Sequence, residues 1–215
     1  MATAARHPTA ALVQPGQVPL AYLDANILLP QYLRSVFLDL ADAGLIRVHW
    51  GSKVLKEVRR NLVKPAFGRT AQQANALLRL IADAFPDALV RHSKALQTHF
   101  AKSVNPNDAH VAVGALKLSR AIRTGQPVVL VTRNTRHLPQ SAFAGTQVRS
   151  AQPATFLVAL LAVQPKVATV LATMLTRFKT PPMSREDFLA ILDHSGCRAF
   201  ATALAAKWGM APIGV

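Results

Sequence analysis

Three acidic residues stand out in a chain that has few. Asp24 closes the apolar run Leu20-Ala21-Tyr22-Leu23. Glu57 lies inside the basic stretch from Lys53 to Arg60, and Asp108 follows Asn105-Pro106-Asn107 at the head of a helical pattern. Only 10 of the 215 residues are Asp or Glu, against 25 Lys plus Arg, so three acids at element ends or on a helix flank are candidates for one metal site. Hard divalent cations take oxygen ligands, chiefly carboxylates and waters. A cation held this way can generate hydroxide and stabilise an in-line displacement at phosphorus. Three close carboxylates without a cation would repel one another. Thr132 and Asn134, in Val131-Thr132-Arg133-Asn134, are polar residues at the end of another apolar run.

Each residue has a plainer role open to it. Asp24 can cap the helix that follows. Glu57 can pair with Lys53 one helical turn earlier, and Asp108 can be a first-turn acid favoured by the helix dipole. His110 can be a packed helix residue, and Asn26 and Asn134 can be turn residues.

The elements that must position these residues are readable from pattern. Residues 1–18 form a loose leader. Leu20 to Leu23 reads as a buried strand, and residues 26–43 as a helix closed by Gly44. Residues 45–50 read as a second strand, with Ser52 as N-cap of the helix that carries Glu57. Thr70 can cap a helix over 71–85, and residues 88–90 can form a short edge strand. Asn107 is expected to cap a helix running from Asp108 to about Ile122, terminated by Gly125. Val128 to Thr132 is β-branched and apolar throughout, as in a central parallel strand. A weaker strand covers 147–149. From Pro153 the pattern is helical only, over 153–162, 165–178, 184–194 and 197–208. Alternating strands and helices predict an α/β fold with a parallel sheet flanked by helices over 19–150, and an α-helical extension over 151–215. In such sheets, sites form at the carboxyl ends of the strands.

The net charge of +15 points to a polyanionic partner, most simply nucleic acid. Lys53, Arg59, Arg60, Arg133, Arg136 and His137 are candidates for the phosphate track, set against the ordinary role of solubilising surface charge. Cys197 is the only cysteine, which excludes an intrachain disulfide framework or a cysteine zinc cluster and makes a reducing cytoplasm the default expectation. No secretory signal is evident, and the longest apolar stretch, residues 156–163, is too short to span a bilayer, so no membrane role is expected. No dinucleotide fingerprint, phosphate loop or nucleophile elbow is present.

The order of these segments resembles the PIN domain, the nuclease fold of VapC-type toxins in bacterial toxin–antitoxin pairs, in a branch with a helical C-terminal extension. The resemblance rests on Asp24-Ala25-Asn26-Ile27-Leu28, on Glu57, on Asn107-Asp108-Ala109-His110-Val111 and on Thr132-Arg133-Asn134-Thr135-Arg136-His137-Leu138-Pro139. Pro181-Pro182-Met183-Ser184 matches the extension's motif. It implies a Mg²⁺- or Mn²⁺-dependent endoribonuclease leaving 5′-phosphate and 3′-hydroxyl ends. Asp24, Glu57 and Asp108 would bind the metal, with Thr132 and Asn134 in support. It also implies RNA as substrate, a cognate antitoxin that covers the active site and, frequently, a homodimer. The chain departs from the pattern where the family's fourth acid is His137 and where acids before Asp108 are Asn105 and Asn107. Imidazole leans toward Mn²⁺ or softer metals. A non-cleaving nucleic-acid-binding protein with a degenerate metal site is the alternative.

Overall fold

The computed structural model describes residues 12–211 apart from 97, 101, 102 and 123. Five strands form one all-parallel sheet: β1 (Leu20–Leu23), β2 (Arg47–Gly51), β3 (Leu89–Val90), β4 (Val128–Val131) and β5 (Val148–Ala151). Their spatial order is β3-β2-β1-β4-β5, with Leu20 opposite both Arg47 and Val128 and Leu23 opposite Val131. The chain therefore builds outward from β1 in one direction and then returns to add β4 and β5 on the other side. The crevice beyond the carboxyl ends of β1 and β4 is the topological switch point, where open parallel sheets place ligands. The residues immediately past those two ends are Asp24 and Thr132.

Every residue of β1 and of β4 is buried, as strands covered on both faces require. Helices flank the sheet: α1 (Ala25–Leu28), α2 (Gln31–Asp42), α3 (Ser52–Leu62), α4 (Ala71–Ala84) and α5 (Ala109–Ala121). The C-terminal helices follow as α6 (Pro153–Val163), α7 (Lys166–Leu175), α8 (Arg185–Leu192) and α9 (Arg198–Lys207). A single wider helical turn, Asp193–Cys197, joins α8 to α9 and kinks at Gly196, whose φ of 73° suits a residue without a Cβ.

Several boundaries differ from the sequence expectation for local reasons. The helix expected over 26–43 is two helices, because Pro30 has no N–H to continue α1 and takes an extended ψ of 124°. Arg34 then donates to the carbonyls of Leu28 and Leu29, closing the end of the short α1. Gly51, not Ser52, is the N-cap of α3, and the serine hydroxyl makes no cap bond. Asp108, not Asn107, is the N-cap of α5, and its carboxylate does not cap the helix. Helix α5 ends at Ala121, before Gly125. The cap at Thr70 is present as a full capping box with Gln73. The leader expected over 1–18 lies mostly outside the described residues. Of its described part, Leu12 and Val13 are buried in the core, so these two side chains anchor it.

Helices α6–α9 share one hydrophobic core with the sheet. Phe37 of α2 stacks on Phe156 of α6, and Tyr32 of α2 meets Phe178 just after α7. Asp39 pairs with Arg177 across the same boundary. Ser184 caps α8 by accepting from the Asp187 amide. Among the described residues no single helix is long and apolar enough to cross a membrane.

Candidate functional site

Asp24 sits where β1 stops and α1 starts, and it is 5% exposed. Its Oδ1 accepts from the Ala25 amide at 2.6 Å. Its Oδ2 accepts from the Thr132 hydroxyl at 2.7 Å and from Asn26 Nδ2 at 2.6 Å. Thr132 is fully buried, and its hydroxyl is saturated: it donates to Asp24 and accepts from Asn26 Nδ2 and the Asn134 amide. Asn26 then receives the Arg133 amide on its own Oδ1. A residue that the sequence allows to be a plain turn former thus ties the end of β1 to the end of β4. Its only sequence signal is its place two residues after Asp24.

Glu57 projects from the flank of α3, whose inward stripe is Val54, Val58 and Leu62. It does not pair with Lys53; it faces the His110 imidazole instead, with Oε2 3.7 Å from Nε2. Asp108, spared from capping, accepts from Asn134 Nδ2 at 3.2 Å, and its Oδ2 lies 3.2 Å from His137 Nδ1. Asn134 Nδ2 also lies 3.2 Å from that nitrogen. One proton cannot serve both contacts, so His137 Nδ1 either donates to Asp108 or accepts from Asn134.

The Asp24 carboxyl is raised above its usual range, first by burial and further by the charges of Glu57 and Asp108. The bonds from Thr132 and Ala25 pull the other way without cancelling this. Glu57 and Asp108 line a cleft of about 520 Å³ together with Lys53, Lys56, Arg60, Asn107 and His110. Lys56 is a cleft cation that the sequence left unmarked, although its spacing from Lys53 and Arg60 is that of one helix face.

Glu57 and Asp108 put carboxylate oxygens, the ligand type of a hard divalent cation, on the wall of one cleft, and Asp24 lies near enough for their charges to raise its pKa. Among the described residues, no three Asp, Glu, His or Cys side chains stand close enough together to hold one ion. The Asp24 oxygens are turned to Ala25, Asn26 and Thr132, the Asp108 Oδ2 to Asn134 and His137, and Glu57 toward His110. One or two carboxylates with waters completing the shell are enough for such a cation.

The expected phosphate track divides. Lys53 and Arg60 line the cleft, and Arg136 and His137 are exposed near it on the loop after β4. Arg59 is turned away and donates to Asn75 of α4 at 2.6 Å. The Arg133 guanidinium donates to the Ser195 carbonyl in the kinked turn between α8 and α9, so the C-terminal helices engage it.

Residues 153–206 match a family model described as the VapC50 C-terminal domain. The matched segment corresponds to α6 through α9 and contains none of the residues bordering the cleft. No curated protein and no solved structure matches the chain. The helical extension is therefore similar to the C-terminal part of a VapC-family protein, and that likeness is consistent with the toxin of a toxin–antitoxin pair.

Proposed function

We propose that this chain is a divalent-metal-dependent endoribonuclease of the PIN type, the toxin of a toxin–antitoxin pair, acting on RNA phosphodiesters in the cytoplasm. One observation carries the reading. A buried carboxylate at the switch point of a parallel sheet feels two further acids, in a protein of net charge +15 whose adjoining cleft is lined by Lys53, Lys56 and Arg60. Carboxylates gathered in that way have little use for a polyanion unless a cation stands between the two. The matched C-terminal segment supports the same reading.

Asp24, Glu57 and Asp108 would supply the carboxylates that hold Mg²⁺ or Mn²⁺, with waters completing the shell. When bound, such an ion supplies Lewis acidity and lowers the pKa of water for attack at phosphorus. The chain's own residues do the positioning. Thr132 and Asn26 fix the Asp24 carboxylate, and Asn134 fixes that of Asp108. Lys53, Lys56 and Arg60 draw the phosphate backbone along the cleft and offset its charge against the acids. A cognate antitoxin covering the cleft, and a homodimer, follow from the same reading.

A specific observation favours the second reading, in which RNA is bound but not cut: among the described residues the acids do not close on one point, and the side chain that meets Asp108 from the loop after β4 is the imidazole of His137. Incubation of the full chain with total RNA in Mg²⁺ and then Mn²⁺ separates the two. Cleavage that falls at least 100-fold in Asp24→Asn, with the fold intact by circular dichroism, supports the nuclease. Equal cleavage by the variant removes Asp24 from the mechanism. RNA binding without cleavage in either metal establishes the second reading.

A further inference from the structure

Glu57 on α3 and His110 on α5 face each other across the cleft, with His110 Nε2 3.7 Å from Glu57 Oε2. The other ring nitrogen, Nδ1, lies 2.9 Å from the Asn107 carbonyl oxygen. A carbonyl can only accept, so Nδ1 carries the proton and the neutral ring keeps its lone pair on Nε2. That Nε2 is buried and has no hydrogen-bond partner among the described residues. Its nearest charged neighbour is a carboxylate oxygen, which when ionised also only accepts. With the ring neutral, two lone pairs face each other with no proton between them.

Something positive belongs at that point. A histidine that donates one ring N–H to a backbone carbonyl and offers the other nitrogen is the usual arrangement of a metal-ligating imidazole. Two ligands of one ion, each about 2.1 Å from it, stand roughly 3–3.5 Å apart. The observed separation needs only a small side-chain rotation to reach that range.

We propose that His110 Nε2 is a nitrogen ligand to the divalent cation, paired with Glu57 Oε2, so that the site is mixed nitrogen and oxygen rather than all-carboxylate. This rests on the reading that the cleft holds a cation, and it goes further by assigning the metal's identity. A nitrogen ligand favours Mn²⁺ over Mg²⁺, because Mg²⁺ is the harder ion and keeps to oxygen. It also gives the loss of acids at 105, 107 and 137 a compensating donor. The rival is an imidazolium protonated on both nitrogens and paired with Glu57, which leaves no lone pair for a metal.

The test is pulsed electron paramagnetic resonance of Mn²⁺ added to the full-length protein, reading the hyperfine coupling to ¹⁴N, with cation affinities by calorimetry. The expected result is a directly bonded ¹⁴N coupling that persists in His137→Gln and vanishes in His110→Gln. Mn²⁺ affinity should fall at least tenfold in His110→Gln and Mg²⁺ affinity less than threefold. Mn²⁺ bound to the wild-type protein without a nitrogen coupling overturns the proposal while leaving the cation reading in place. A coupling that disappears in His137→Gln instead assigns the ligand to the other histidine and also overturns it. If the wild-type protein binds neither cation, both readings fall. The wild-type spectrum decides the question even if the His110 variant does not fold.

Discussion

At the scale of single residues, Asp24, Glu57 and Asp108 were legible as site candidates because acids are rare in this chain and each stands at an element boundary or a helix flank. What pattern could not reveal is how their oxygens are engaged, since that depends on residues distant in sequence. Thr132 reaches Asp24 across 108 positions, and His137 reaches Asp108 across 29. The contact at His137 carries a prediction. An aspartate there would place a second carboxylate beside Asp108, costing stability without a cation and repaying it when one binds. His137→Asp should therefore lower the melting temperature of the metal-free protein, tighten Mg²⁺ about tenfold, or ~1.4 kcal/mol, and raise Mg²⁺-supported RNA cleavage. Thermal unfolding with and without Mg²⁺ measures the first two. An unchanged Mg²⁺-dependent gain would show that position 137 does not contribute to cation binding.

At the scale of elements, the strands and most helices were legible because each carries its own period and breakers. The errors fell at caps, where several neighbouring residues compete: Pro30 splits a helix, and Gly51 displaces Ser52. The close approach of α5 to β1 was not legible, because nothing local marks Gly114 as special. A Cβ built there would lie 1.9 Å from the Tyr22 hydroxyl oxygen and 2.3 Å from its Cζ. Gly114→Ala must push α5 off the strand that ends in Asp24 and should cost about 2–3 kcal/mol in urea unfolding. The Tyr22 hydroxyl is buried without a partner among the described residues, so Tyr22→Phe should be neutral or stabilising by up to about 1 kcal/mol. A full rescue of Gly114→Ala by Tyr22→Phe would contradict the packing, because the ring carbon would still clash. A second strand residue, His49 on β2, sets an acid limit. It is 6% exposed, and its pKa is lowered to about 4 from 6.5, first by burial and then by Arg47. Its folded pKa lies below the unfolded one, so between pH 6.5 and 4 the unfolded chain binds a proton that the folded chain refuses. Stability should fall as pH drops through that window, by on the order of 2–3 kcal/mol. Urea midpoints at pH 7 and pH 5 should differ less for His49→Leu than for the wild-type protein; an equal difference would place the acid sensitivity elsewhere.

At the scale of the whole molecule, a net charge of +15 favours a polyanionic partner as a class but does not say where one would lie. The fold narrows this by using some cations in internal bonds, Arg59 on α4 and Arg133 on the C-terminal helices, and leaving Lys53, Lys56 and Arg60 on the wall of the cleft that also holds Glu57 and Asp108. If the +15 charge acted only as a diffuse field, removing three cations anywhere would weaken RNA binding alike. If the cleft is the phosphate path, those three act through direct neutralisation and counterion release, and each contributes about 0.7 to the slope of log affinity against log salt for single strands. Replacing Lys53, Lys56 and Arg60 by serine should therefore flatten that slope by about 2 in all. Removing the surface cations Arg79, Arg91 and Arg120 should leave it nearly unchanged. Binding should be measured with Ca²⁺ or without added metal, so that cleavage does not distort the titration. Equal flattening by the two sets would mean that RNA is held by overall charge and that the cleft is not its path. A selective effect of the first set would place the phosphates beside Glu57 and Asp108, within reach of the cation that the acids and His110 are proposed to hold.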